Sequence, residues 1–189
     1  MRCVRRWRNR AGQERWQLDR QTKGPSLRTR WLAVGTLGLI LVATQSVASW
    51  RDSHALLINS SESLPNWAFF IEKNKTPERG DYVFFKLIPT AITRAHWGDN
   101  APSFGKVVYG LPGDIVSRQG STVFVNGKPV ATLKPKSKRG EILVPGPIGI
   151  IPRDHFFLAT THKDGFDSRY ADIGFVPRRQ IIGTGDPIL

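Results

Sequence analysis

The sequence predicts a mostly β protein: one N-terminal transmembrane helix followed by a small antiparallel β-barrel or sandwich. Two observations predict it. Residues 31–50 hold no charged side chain, and 20 uncharged residues span about 30 Å as a helix, the depth of a bilayer core. After residue 50 come many short runs of aromatic and β-branched residues, cut by Gly, Pro and Asn turns, with no helical period of useful length. A chain of 189 residues with 40% hydrophobic content leaves room for one modest domain plus attachments.

The chain therefore divides into 1–30, a basic tail, 31–50, a transmembrane helix, and 51–189, a β-rich domain. Residues 1–30 hold nine Arg and one Lys against Glu14 and Asp19, a net +8 of the total +13. Such a tail can neutralise phosphates, but the apolar run behind it favours a cytoplasmic flank, and no nucleic acid is expected. Trp31 and Trp50 stand at the two ends of the run, where indoles favour the interface. The arginine excess places the N-terminus in the cytoplasm. The chain then crosses the inner membrane once, and its β-rich domain lies in the periplasm or its equivalent. A cleaved signal peptide is the rival, since Ser46-Val47-Ala48 offers small residues for cleavage. The single cysteine is Cys3, so the exported part holds no disulfide.

Within the β-rich part, residues 55–59, 67–73, 81–88 and 105–109 read as strands. Residues 89–104 read as irregular, broken by Gly98 and Pro102. Residues 115–118, 122–125 and 128–132 form a meander, and Asn126-Gly127 is its strongest turn signal, both residues tolerating positive φ. Residues 134–140, Lys-Pro-Lys-Ser-Lys-Arg-Gly, read as a solvated basic loop. An edge strand near 142–144 and strands at 155–161 and 180–183 complete the set.

The four histidines, His54, His96, His155 and His162, have no paired spacing, so no metal is expected. No glycine-rich phosphate loop precedes a helix, and no other cofactor is implied. No Gly-x-Ser-x-Gly elbow supports a Ser-His-Asp triad. A serine paired with a lysine is the remaining nucleophilic route. Lysine serves as base only when neutral, which requires burial among apolar groups. Lys106 follows Gly105 and precedes Val107, Val108 and Tyr109. Its spacing alone also suits an ordinary edge-strand lysine in water.

Four motifs in order carry a resemblance. They are Ser63-Leu64-Pro65, Lys106 with Gly110-Leu111-Pro112-Gly113-Asp114, Asp167-Ser168-Arg169-Tyr170, and Gly174-Phe175-Val176-Pro177. With the basic tail and apolar segment in front, residues 58–183 resemble the type I signal peptidases, membrane-anchored serine peptidases with a Ser-Lys dyad. The short chain and the Ser-Leu-Pro form are most similar to the TraF-type peptidases of conjugative transfer, which process pilin precursors.

The resemblance implies a signal-peptidase-type catalytic domain with Ser63 as nucleophile and Lys106 as general base. It implies an oxyanion hole formed by the Ser63 N–H and the Ser61 side chain. Asp167 and Arg169 match a pair near that dyad and are expected to form a salt bridge, and Leu111-Pro112-Gly113-Asp114 is expected to be a structural turn. The partner implied is an exported, pilin-like precursor at a membrane. Two departures stand out. Thr160-Thr161-His162 replaces the family's Gly-Asp-Asn, and Gly165 stands where a serine that bonds the lysine is common, which leaves Asp167 or a threonine to orient Lys106. A noncatalytic membrane assembly factor of the same fold remains the alternative.

Overall fold

The computed structural model describes residue 24 and residues 26–59 and 63–188. The chain divides into two compact units, Met1–Ser49 and Trp50–Leu189. Helix α1 (Leu27–Ser53) exposes its side chains and buries none, and it is long and apolar enough to cross a membrane. It extends beyond the expected 31–50 at both ends. Backbone hydrogen bonding does not stop at a charge, and the Ser26 hydroxyl accepts the Thr29 N–H, closing the N-terminus as a cap.

The second unit is an open two-sheet assembly. Strands β1 (His54–Ile58), β2 (Ala68–Glu72), β3 (Tyr82–Phe85) and β4 (Phe104–Gly110) belong to the larger sheet, with β9 (His155–Ala159), β10 (Val176–Pro177) and β11 (Ile181–Pro187). Its seven strands run in the order β1-β2-β11-β3-β4-β9-β10, every pair antiparallel. Strands β5 (Ile115–Gln119), β6 (Thr122–Val125), β7 (Lys128–Thr132) and β8 (Gly149–Ile150) form the smaller sheet, ordered β7-β6-β5-β8. Neither sheet closes into a barrel. The C-terminal strand β11 sits between β2 and β3, so the larger sheet is completed only when the end of the chain arrives.

The sheets meet through Val116, Val123 and Val125 of the smaller one and Phe157 and Ala159 of the larger. Gly110 permits this contact, since a Cβ there would collide with Ile151 and Phe157. A second core joins Val83, Phe85, Val108 and Leu158 across the centre of the larger sheet. Burying each side chain of this size contributes about 1.5–3 kcal/mol, the main stabilisation open to a domain without disulfides.

The segment read as irregular holds helix α2 (Ala91–Trp97). Its seven residues are too few for a periodic pattern, but its caps are well formed. The Thr90 hydroxyl accepts the Thr93 N–H, the Thr93 hydroxyl accepts the Thr90 N–H, and Gly98 ends it at φ 69°. Asn126 (φ 49°) and Gly127 (φ 75°) form the predicted turn between β6 and β7.

Candidate active site

Strand β4 carries Lys106. Strand periodicity puts Phe104, Lys106 and Val108 on one face, and Lys106 is 3% exposed, paired in register with Val83. Burial pushes its amine down from 10.5 to about 8, against an upward pull from the Asp167 carboxylate and with a further push down from Arg169. A substantial fraction of this lysine is therefore neutral near pH 8. The end of β4 is fixed by the turn at 111–114. There the Leu111 N–H donates to Asp114 Oδ2 (2.6 Å), Arg79 and Asn126 also donate to the Asp114 carboxylate, and Gly113 takes φ 90°.

Ser63 lies in the loop between β1 and β2. Leu64, its neighbour, is buried with Phe69, Ile71 and Phe84. Gly105 makes room for it: a Cβ there would stand 2.9 Å from Leu64 Cδ1 and 2.8 Å from Phe84 Cε1. The residue before the buried lysine is thus the one that lets the serine loop lie down on β4. The Asn59 amide donates to the carbonyls of Leu64 (3.1 Å) and Asn66 (3.0 Å), fastening the same loop. Ser61 lies outside the described residues.

Asp167 and Arg169 are fully buried and paired as a fork, with Arg169 Nε to Asp167 Oδ1 and Nη2 to Oδ2, both 2.8 Å. Burial pushes the Asp167 carboxyl up, but its hydrogen-bond partners are all donors, including the Thr160 N–H (3.1 Å) and the Arg169 N–H (3.2 Å). Donors on every side favour the ionised form and oppose that upward push. Arg169 also donates to the carbonyls of Thr132 (3.0 Å) and Thr160 (2.5 Å), joining β7, β9 and the last loop.

Thr160, the first residue of the Thr160-Thr161-His162 departure, connects these parts. Its hydroxyl donates to the Ser63 carbonyl (2.6 Å) and accepts the His162 N–H (3.2 Å). Its N–H binds Asp167 and its carbonyl accepts from Arg169. Gly165 lies against its methyl group. A Cβ at 165 would collide with Thr160 Cγ2 and stand 2.8 Å from Asp167 Oδ2. Thr160 therefore fills the space a side chain at 165 would need. The signal in the sequence was the pairing of a glycine at an expected hydroxyl position with a β-branched hydroxyl residue five positions earlier.

Ser63, Gly105 and Lys106 line one cavity of about 890 Å³. Its apolar wall includes Trp97, Phe104 and Phe166, and Trp97 meets Phe104 edge-on at 5.0 Å. The basic loop of residues 134–140, read as merely solvated, also borders it through Lys134, Lys136, Lys138 and Arg139. Among the described residues no group of three or more His, Cys, Asp or Glu could hold a metal. The arrangement offers a hydroxyl, a buried amine whose pKa is lowered, and a cavity with an apolar wall and a basic border.

Residues 28–189 match the family model described as signal peptidase, peptidase S26. A signal peptidase I of Leptolyngbya laminosa is 30% identical over 79% of this chain and 74% of its own length. A probable conjugal transfer protein TraF of Sinorhizobium fredii is 28% identical over 84% of this chain and 88% of its own. The conjugal transfer protein TraF of Agrobacterium tumefaciens is 28% identical over 79% and 89%. A crystal structure of a signal peptidase I from Enterococcus faecalis overlaps 58% of this chain and 97% of its own at a TM-score of 0.37 and 20% identity. By the extent of the family match, the chain belongs to the signal peptidase family, peptidase S26.

Proposed function

We propose that this serine peptidase family member is a membrane-anchored endopeptidase working through a Ser63–Lys106 dyad. Its substrate is an exported precursor, and the TraF relatives favour a pilin-like one in conjugative transfer. The observation that carries the reading is the 3% exposed Lys106, its pKa lowered to about 8, in the same groove as Ser63. In this reading residues 1–30 stay in the cytoplasm, α1 spans the inner membrane, and the β-rich unit works on the periplasmic side.

The chemistry runs in two halves. Ser63 Oγ attacks the scissile carbonyl carbon while Lys106 Nζ takes its proton. The carbonyl oxygen becomes an oxyanion, held by the Ser63 N–H and the Ser61 hydroxyl. Collapse breaks the C–N bond, and the ammonium of Lys106 returns the proton to the leaving amine. Water then attacks the acyl-enzyme with Lys106 again as base, releasing an acid and free Ser63. A free amine of the substrate taking the place of water would give a new amide instead. Asp167 and Arg169 hold the surrounding loops and do not touch the reacting atoms.

Co-expression with a pilin-like precursor tests this by intact mass. Wild type should shorten the precursor, and Ser63→Ala and Lys106→Ala should not; a product one water lighter than the hydrolysed form reveals cyclisation. Processing by both variants at the wild-type rate would refute the dyad.

A further inference from the structure

The groove is charged at one side. Lys134, Lys136, Lys138 and Arg139 line it on the basic loop, and Asp164 is the one carboxylate lining it among the described residues. That loop is built, not loose. The Lys134 N–H donates to the Tyr170 hydroxyl (3.1 Å), the Leu143 N–H to the Pro135 carbonyl (3.0 Å), and Lys136 bridges Ile142. Ser137 bonds Glu141, whose carboxylate meets His96 of α2 at 2.7 Å. The cations are therefore presented to the groove from a fixed backbone.

Lys134 and Lys138 already converge on a carboxylate, Asp164, with Lys138 at 3.2 Å. The hydrogen bond from Lys134 leads the causes that hold this carboxyl down to about 2. Asp164 thus occupies a place where an acid group is welcome. Beside it, Lys136 and Arg139 are exposed, and among the described residues neither has an ion-pair partner.

We propose that the 134–139 loop is a specificity element of the peptidase groove, with Lys136 and Arg139 binding acidic side chains of the precursor. The proposal rests on the peptidase reading for the identity of the groove's occupant. A contact of this kind, made equally in ground and transition states, lowers KM and leaves kcat alone. Exposed ion pairs are individually weak, so two of them give a preference of about three- to tenfold that fades with salt.

The test compares two fluorescein-labelled peptides, alike except for Glu-Glu against Gln-Gln, at several positions along the chain. Binding is measured by anisotropy to the full-length Ser63→Ala protein in uncharged detergent, at low and at high salt. A Glu preference of about three- to tenfold at low salt, lost at high salt and lost in a Lys136→Gln/Arg139→Gln variant, is expected. The basic N-terminal tail also attracts acids, but it is intact in that variant, so a preference that survives there overturns the proposal. Equal binding of the two peptides to the parent protein overturns it too. So does a variant that binds peptides normally but loses association with phosphatidylglycerol vesicles, which would make the loop a lipid contact. Binding does not require turnover. Processing that persists in Ser63→Ala and Lys106→Ala with an intact Glu preference refutes the dyad alone, and normal Ser63-dependent processing without the preference refutes this inference alone.

Discussion

Replacing Lys106 with methionine should abolish processing and stabilise the fold. The side chain is buried on β4 beside Phe104, with its ammonium 5.9 Å from that ring. Its pKa falls from 10.5 to about 8 because burial penalises the charge more than Asp167 rewards it. Holding it protonated at neutral pH therefore costs the folded state about 3 kcal/mol. Methionine has a similar length, no charge, and suits the apolar surroundings, and Asp167 keeps its Arg169 fork. The sign follows from proton binding. Between pH 8 and 10.5 the unfolded chain holds the lysine proton and the folded chain has lost it, so wild-type stability rises with pH across that window. The Lys106→Met variant should exceed the wild type by about 3 kcal/mol below pH 8, and the gap should close by about pH 10.5. In thermal unfolding of the solubilised chain this is a rise of roughly 6–12 °C at pH 7. A variant that is less stable at pH 7, or whose advantage does not change with pH, would refute the claim that the lysine is held at an energetic cost.

Other outcomes follow from the same geometry. The base must be neutral, so kcat/KM for a peptide substrate should rise about tenfold from pH 7 to pH 9 and then level off, and a profile flat across that range would remove Lys106 as the base. Thr160→Val keeps the shape but loses the bond to the Ser63 carbonyl. It should lower kcat about tenfold or more with little change in KM, and Thr160→Ser should restore most of it, as steady-state kinetics would show. Gly165→Ser should destabilise the fold by about 1–3 kcal/mol through its collision with Thr160. That cost, read by denaturant unfolding, should shrink in a Thr160→Ser background, where the colliding methyl is gone.

The strands of the meander were legible because their signals are local. Alternating apolar residues and Asn126-Gly127 specify a hairpin from within a few residues. Helix α2 was not legible, since its caps, Thr90 and Gly98, bracket too few residues to show a period. The basic loop read as solvated because charge runs usually are. Its place beside the groove depends on Ile142 and, distant in sequence from it, on Tyr170 and, through Glu141, on His96.

The sequence by itself determined the kinds of element, the apolar segment, and the serine and lysine worth watching, because these depend on neighbours along the chain and on motifs in order. Only the tertiary structure decided that Lys106 is buried, that Gly105 receives Leu64, and that Thr160 reaches the Ser63 carbonyl across 97 positions. The physical reason is that a lysine's pKa and a loop's position are set by what packs against them. In this fold those partners come from both sides along the chain, Leu64, Val83 and Phe84 before β4 and Thr160 and Asp167 long after it.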